Sequence, residues 1–335
     1  MSEIVPVTAG EYAEIERLFA ELVGTRQDLV VVQGEAALPL EAAAKSLGGP
    51  GVRALNVITG PYGAIFGAWL RDAGAEVEDV AVPFDRAAPV ELVADALDRL
   101  GEIDIVSIVH AEAATGSVNP LREIAAAAHE RGALVVVDAV ASIGADPLEI
   151  DEWALDLVVL ATQKALDGPT GAAGVVVGER AWERIERNPA APRRSILSLL
   201  DWRENWLRPG RLVLPVIPHH VEMRLLGDAL WRALDEGLDA IVARHGSARD
   251  ACRSGVRALG LEPWVRDDAE ATAVATTVRV PEGIDPGALI DPSFPLVSVA
   301  PGSLASEAVR INHTGRHATL ADVAAALATL ERALV

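Results

Sequence analysis

The chain has 335 residues, 50% of them hydrophobic and 23% charged, with 29 basic against 49 acidic side chains and a formal net charge of -20. So acidic a surface repels phosphate backbones and anionic bilayers, so neither nucleic acid nor a membrane is expected as a partner. The single cysteine, Cys252, excludes an intrachain disulfide and a cysteine-rich metal site, and is expected as a small packed side chain in a reducing cytoplasm.

The first residues, MSEIVPVTAGEYAEIE, carry neither a basic run nor an apolar core of the kind that targets a chain for export. Short β-branched runs then alternate with alanine-rich amphipathic ones. DLVVVQ (28–33) precedes the helical EAALPLEAAAKSL, VRALNVI (52–58) precedes AIFGAWLRDAG, and VEDVAV (77–82) precedes PVELVADALDRLG. IDIVSIVH (103–110) leads to PLREIAAAAHERG, and ALVVVDAV (133–140) leads to DLVVLAT (156–162). Gly74, Gly101 and Gly132 each follow a helical run where a left-handed cap would sit. AAGVVVGE returns as a strand, AWERIERN opens a helix, and Pro218 to about Gly260 reads as helical with a break near Gly237. The densest basic run, Arg193, Arg194, Arg203, Arg208 and Arg211, is interleaved with Asp201 and Glu204 and reads as a helix face.

Strands apolar on both faces and separated by helices predict an α/β fold, a mostly parallel sheet covered by helices on both sides. The texture changes after the long helices. ATAVATTVRV (271–280), VSVAPG (297–302) and AVRINH (308–313), closed by the helix TLADVAAALATLERAL, predict a smaller C-terminal α+β domain. Residues 1–240 are thus expected as a large α/β domain with its connecting helix, and residues 241–335 as the small one.

In open α/β sheets a ligand lies beyond the carboxyl ends of the strands, so the residues that end each apolar run are the informative ones. They are Gln33-Gly34-Glu35-Ala36, TGPYG with Tyr62, HAEAATG (110–116), Asp138, and Thr162-Gln163-Lys164. A helix mouth that can hold phosphate, an aromatic ring, a strand-end carboxylate and a strand-end lysine are the parts a pyridoxal phosphate enzyme requires. Alone, each has a plainer reading: a helix start, a core tyrosine, a turn-capping aspartate, a solvated lysine.

Their order makes the pattern specific. Residues 109–171 resemble the heart of the class V aminotransferase family, on its alanine-glyoxylate and serine-pyruvate branch, with HxExxTG, VDAVAS, QKAL and RIxHxG in family order. The resemblance extends through AWERIE to RINHTG. It implies fold type I, pyridoxal 5'-phosphate as cofactor, no metal, and a homodimer that moves an amino group between a small α-amino acid and a 2-oxo acid. Lys164 would form the Schiff base and shuttle the proton, and Asp138 would pair with the pyridinium nitrogen. Tyr62 would stack on the ring, with Thr115 also at the cofactor and Gln163 near its phosphate and phenolic oxygen. Gly34, Glu35 and Ala36 would supply the phosphate turn. Arg310 would clamp the substrate carboxylate with its bidentate fork, while His110 and Glu112 would orient loops.

Two departures stand out. The proline- and glycine-rich opening of the family is not matched, and Gly210 and Val213 in PGRLVLPV stand where relatives carry a tyrosine and a threonine that reach the neighbouring subunit's phosphate. Arg211, between them, is a candidate replacement for that contact. Two alternatives remain open: a lyase eliminating at a C–S or similar β-bond with the same residues, and a non-catalytic partner subunit. A cysteine desulfurase is disfavoured because Cys252 lies in a helical, alanine-rich context.

Overall fold

The computed structural model describes residues 5–334. The first four residues of the stretch read for an export signal, and Val335 at the end of the small domain, lie outside the described residues. Helix α1 (Ala9–Leu22) opens on a capping box in which Thr8 and Glu11 bond each other's backbone N–H. The chain then alternates as expected: β1 (Asp28–Gln33), α2 (Ala37–Leu47), β2 (Arg53–Ile58), α3 (Pro61–Asp72), β3 (Glu76–Ala81), α4 (Val90–Leu100) and β4 (Ile105–Val109). A short hairpin of β5 (Ala111–Glu112) and β6 (Ser117–Val118) intervenes before α5 (Leu121–Glu130), β7 (Leu134–Asp138), β8 (Leu157–Ala161), β9 (Ala172–Val177) and α6 (Glu179–Arg187). Gly74, Gly101 and Gly132 do adopt positive φ after their helices.

Seven strands form one sheet in the order β1-β9-β8-β7-β4-β2-β3. Only β9 runs against its neighbours. It follows β8 with no intervening helix, and so short a connection cannot bring a strand back in parallel. Strands β4, β7, β8 and β9 are buried along their whole length. The expectation of burial on both faces fails at β3, whose side chains are mostly exposed. It is one of the two edge strands, and Glu76, Glu78 and Asp79 keep that edge from recruiting another sheet.

After a short α7 (Leu199–Trp202) and a π-helical turn (Arg203–Leu207), α8 (His220–Glu236) and α9 (Leu238–Ala258) meet at Gly237, whose φ of 85° makes the break. The second sheet is antiparallel, ordered β10 (Glu262–Pro263), β11 (Thr276–Arg279), β13 (Ala308–Ile311), β12 (Val297–Val299), and is covered by α10 (Leu320–Ala333). Of the run 271–280 only its last part is strand. Ala271 and Thr272 instead pair with the β5–β6 hairpin, Thr272 donating its N–H to Gly116 at 3.0 Å. Two hydrophobic clusters exchange within α9: Ile241 packs in the large one, Ala248, Cys252 and Val256 in the other. Among the described residues, no helix is long and apolar enough to cross a membrane.

The basic run does not form one helix face. Arg203 pairs with Glu179 and Glu186, Arg208 with Glu186, and Arg211 gives its Nε to the buried Glu16 at 2.8 Å. Glu16 also accepts from Trp206 Nε1 and Val31 N. Arg211 is thereby committed to the joint of α1 and β1, not held out towards a phosphate.

Candidate active site

A cavity of about 370 Å³ lies beyond the carboxyl ends of β1, β4, β7 and β8, where an α/β sheet offers its loops to a ligand. Glu35, Ala36, Tyr62, Asp138, Gln163 and Lys164 all line it. A larger hollow, about 620 Å³, lies at the opposite end of the strands around Val52, Asp104 and Leu134. Its arginines, Arg131, Arg180, Arg184 and Arg187, are each ion-paired, which leaves none of these four free to hold an anion.

Lys164 follows β8 by three residues on a tight turn. Gly168 N–H donates to the Thr162 carbonyl at 2.8 Å, and a Cβ on Gly168 would stand 2.2 Å from Thr162 Oγ1, so only glycine closes this turn. From the other side Gly315 of the HTG turn, at φ 61°, packs so close that a Cβ would lie 3.1 Å from the Lys164 carbonyl. Burial, then the charge of Arg310, lowers the Lys164 pKa against the opposing pull of Asp138 and Glu35. The amine is therefore closer to its nucleophilic neutral form than a surface lysine.

Asp138 ends β7 with one oxygen accepting the Val140 N–H at 2.9 Å. Full burial pushes its carboxyl up to about 6, although that N–H and Lys164 act to lower it. A buried carboxylate so poorly compensated favours a cationic partner, and a protonated ring nitrogen is one. Arg310 stands on β13 of the second sheet and is not part of the cavity wall. Its Nη1 donates to the Ala113 carbonyl at 3.3 Å, its Nε is buried without a partner, and its charge reaches both Lys164 and Tyr62. Gln163 has a buried, unpartnered Oε1, while its Nε2 is 3.5 Å from Glu35. Such orphaned polar atoms at a largely apolar cavity mark where a ligand's own groups complete the bonding. The pyridoxal end of the cofactor fits this set.

The other end is built differently. Gly34, outside the wall, gives its N–H to the Gly171 carbonyl at 2.8 Å. The Glu35 carboxylate accepts the Ala37 N–H at 2.8 Å, covering the mouth of α2, so the donors left at this turn are the N–H groups of Glu35 and Ala36. Thr115 does not reach the cavity either. It is fully buried in the β5–β6 turn, 2.9 Å from Ser117 Oγ.

Tyr62, ahead of the run AIFGAWLRDAG read as helical, already lies in the first turn of α3, which starts at Pro61. Ile65 and Trp69 line the cavity with it, and their spacing of three and four residues is the legible sign of a helix face. Sequence reasoning also misses Ala111 and Ala113, which line the wall on either side of Glu112; strand alternation in HAEA is the available signal. His110 donates its N–H to the Asp138 carbonyl at 2.9 Å and sets its ring edge-on to Trp153.

Fold and cavity together define a fold type I enzyme of the pyridoxal phosphate class. Residues 4–189, more than half of the chain, match the family Aminotransferase class-V. The chain is 36% identical over 309 residues to the pyridoxamine–pyruvate transaminase of Mesorhizobium japonicum, covering 91% of this chain and 78% of that one. It is 29% identical over 304 residues to the alanine–glyoxylate aminotransferase of Drosophila melanogaster, covering 88% and 76%. The crystal structure of a pyridoxamine–pyruvate aminotransferase from Mesorhizobium loti superposes with a TM-score of 0.91 at 33% identity, over 97% of this chain and 84% of that one. The chain belongs to the class V aminotransferases, on the branch its motifs indicated, and is a pyridoxal phosphate-dependent enzyme.

Proposed function

We propose that the chain moves an amino group between a small α-amino acid and a 2-oxo acid in the cavity at Lys164. The observation that carries this is the convergence of Lys164, Asp138 and Tyr62 on one wall with the Arg310 charge within reach. When bound, pyridoxal 5'-phosphate supplies an aldehyde to take the amino group and a ring to draw electrons from the substrate Cα. Lys164 would hold the cofactor and move the proton at the substrate Cα, a task its lowered pKa suits. Asp138 would keep a proton on the ring nitrogen. Tyr62 would help hold the ring, and Gln163, with its unpartnered Oε1, would bond a polar group of it. Arg310, with a free buried Nε, takes the substrate carboxylate. The convergence gives no support to a non-catalytic subunit, and the kinship of the two transaminases favours transfer over elimination. Mixing the holoenzyme with single amino acids and following the loss of visible cofactor absorption tests it: no response to any amino acid would refute the reading.

A second reading is favoured by Glu35. A carboxylate at the mouth of α2 repels phosphate, Gly210 and Val213 offer no phosphate-binding side chain, and one relative is a pyridoxamine–pyruvate transaminase. On this reading free pyridoxamine is the amino donor and pyruvate the acceptor. Formation of pyridoxal from the two, with no phosphorylated vitamer present, is the expected result.

The same proposal includes a homodimer. It is supported by apolar side chains left exposed around the 212–217 loop, Leu212 at 74%, Val213 at 72%, Ile217 at 96%, with Ile196 at 69% beside them. A monomer in solution scattering of the active protein would contradict it. Division near residue 240 is supported by the change of cluster within α9, and a reducing cytoplasm by the fully buried Cys252 thiol, whose pKa burial pushes up to about 12.

A further inference from the structure

Helix α3 starts without a cap of its own. Gly60 has no side chain and Pro61 no N–H, so the first donors of the helix are the N–H groups of Tyr62 and Gly63. Both point at one carboxyl from a distant segment: Tyr62 N lies 3.4 Å from Glu112 Oε1, and Gly63 N lies 3.3 Å from Oε2. The fit is steric as well. A Cβ on Gly60 would come within 2.1 Å of Glu112 Cγ, so the helix start and the glutamate share one space.

Glu112 is itself fully buried and is not on the wall of this cavity, since β5 turns Ala111 and Ala113 to the wall and Glu112 behind it. We infer that Glu112 is a positioning residue of the active site, the carboxyl that fixes the first turn of α3 and with it the Tyr62 ring. This rests on the reading that Tyr62 lies against the cofactor ring.

The electrostatics agree. Burial, and then the charge of Asp138 from the end of β7, push the Glu112 carboxyl up to about 8, while the two α3 N–H groups act to lower it. From β5–β6 no charged group opposes it, and His110, two residues before it, is held neutral by burial, at about 4. Near neutral pH Glu112 is thus mostly protonated, and only above about 8 can both oxygens accept fully.

The test uses the full chain and pyridoxal 5'-phosphate as probe, with the dissociation constant from absorption titration and folding checked by melting. Glu112→Ala should weaken binding about tenfold, the scale of stranding a buried N–H. Glu112→Gln, which imitates the protonated acid, should bind within about twofold of the parent at neutral pH and fall behind it above about pH 8. Packing alone would not move that profile, so a parent-to-Gln ratio flat across that range overturns the inference, even if the alanine variant fails to fold. Tyr62→Leu separates the two claims. Unchanged affinity in Tyr62→Leu would sink the stacking role, whereas weakened affinity there beside an unchanged Glu112→Ala would sink the positioning role. The double variant should bind no worse than Tyr62→Leu alone; additive losses would show that Glu112 acts by another route.

Discussion

The two ends of the cavity are made on opposite principles. At one end Asp138, Lys164 and Arg310 arrive from β7, from the turn after β8 and from β13, and each is withdrawn from water far enough to shift its pKa. At the other, the turn before α2 offers the backbone N–H groups of Glu35 and Ala36 and one exposed carboxylate, Glu35, which takes the Ala37 N–H of the helix. Charges in a desolvated setting interact strongly and cannot be exchanged cheaply, while an exposed charge is screened. Substitutions should therefore grade in effect from the buried end to the exposed one.

Lys164→Ala should have the largest effect: no detectable transamination in the half-reaction, with the melting temperature little changed, since Lys164 contributes a reactive amine and not packing. Turnover comparable to the parent would break the whole comparison. Asp138→Asn comes next. An amide cannot hold a proton on the ring nitrogen, and kcat should fall at least about a hundredfold. The same variant carries a pH signature in cofactor-free protein. The folded Asp138 titrates at about 6 against an ordinary 3.8, so the folded state binds the extra proton in that window. Its contribution to stability is fully present below about pH 4 and lost as pH rises through about 6, by about 3 kcal/mol at most. Denaturant titrations at pH 4 and 7 should show a larger loss in the parent than in Asp138→Asn, where Asp146 and Glu112, whose carboxyls burial also pushes up, still contribute.

What is legible in the sequence follows the same division. Strand-ending residues of a parallel sheet lie in a fixed direction from the strand, so the apolar runs ALVVVD and DLVVLA are enough to bring Asp138 and Lys164 to one end of the sheet. Tyr62 falls on the expected segment, but inside a helix that begins ahead of the run AIFGAWLRDAG, because Pro61 sits at the first helical position. Thr115 and Arg211 illustrate what is not legible. Arg211 depends on Glu16, 195 residues earlier, and Thr115 is drawn to Ser117 inside a hairpin turn that Thr277 of β11 holds through the Ala114 carbonyl; no local period encodes such packing. The fate of the Ala37 N–H at α2 is equally a matter of one rotamer of Glu35, not of a motif.

Arg310→Lys should rank third. The charge stays, but a lysine cannot grip a carboxylate with two parallel bonds. The loss expected is about 1.5 to 3 kcal/mol, or about ten- to a hundredfold in kcat/KM, the scale of a hydrogen bond to a charged group. It should fall on alanine or serine and spare the matching amines that lack the carboxylate. Equal losses for both would mean that Arg310, through its bond to the Ala113 carbonyl, serves the joint between the sheets instead.

The smallest effect is expected at Glu35, and it bears most directly on what the exposed end is for. Glu35→Gln keeps an oxygen for the Ala37 N–H and removes the negative charge from the mouth of α2. Because the group is exposed, the gain in affinity for pyridoxal 5'-phosphate should be modest, about three- to tenfold, and should shrink with added salt. Affinity for unphosphorylated pyridoxal, which brings no charge to that end, should stay level or fall slightly if Glu35 accepts a hydroxyl there. Comparing the two ligands in the parent and the variant therefore separates the two readings. A parent that already prefers the phosphate strongly, and a Gln variant that changes neither affinity, would show that the carboxylate leans away from the ligand. The backbone N–H groups of Glu35 and Ala36 would then suffice as a phosphate turn. A parent that prefers the free vitamer, with the preference narrowed by Glu35→Gln, would make this end of the cavity a seat for a hydroxymethyl group rather than a phosphate.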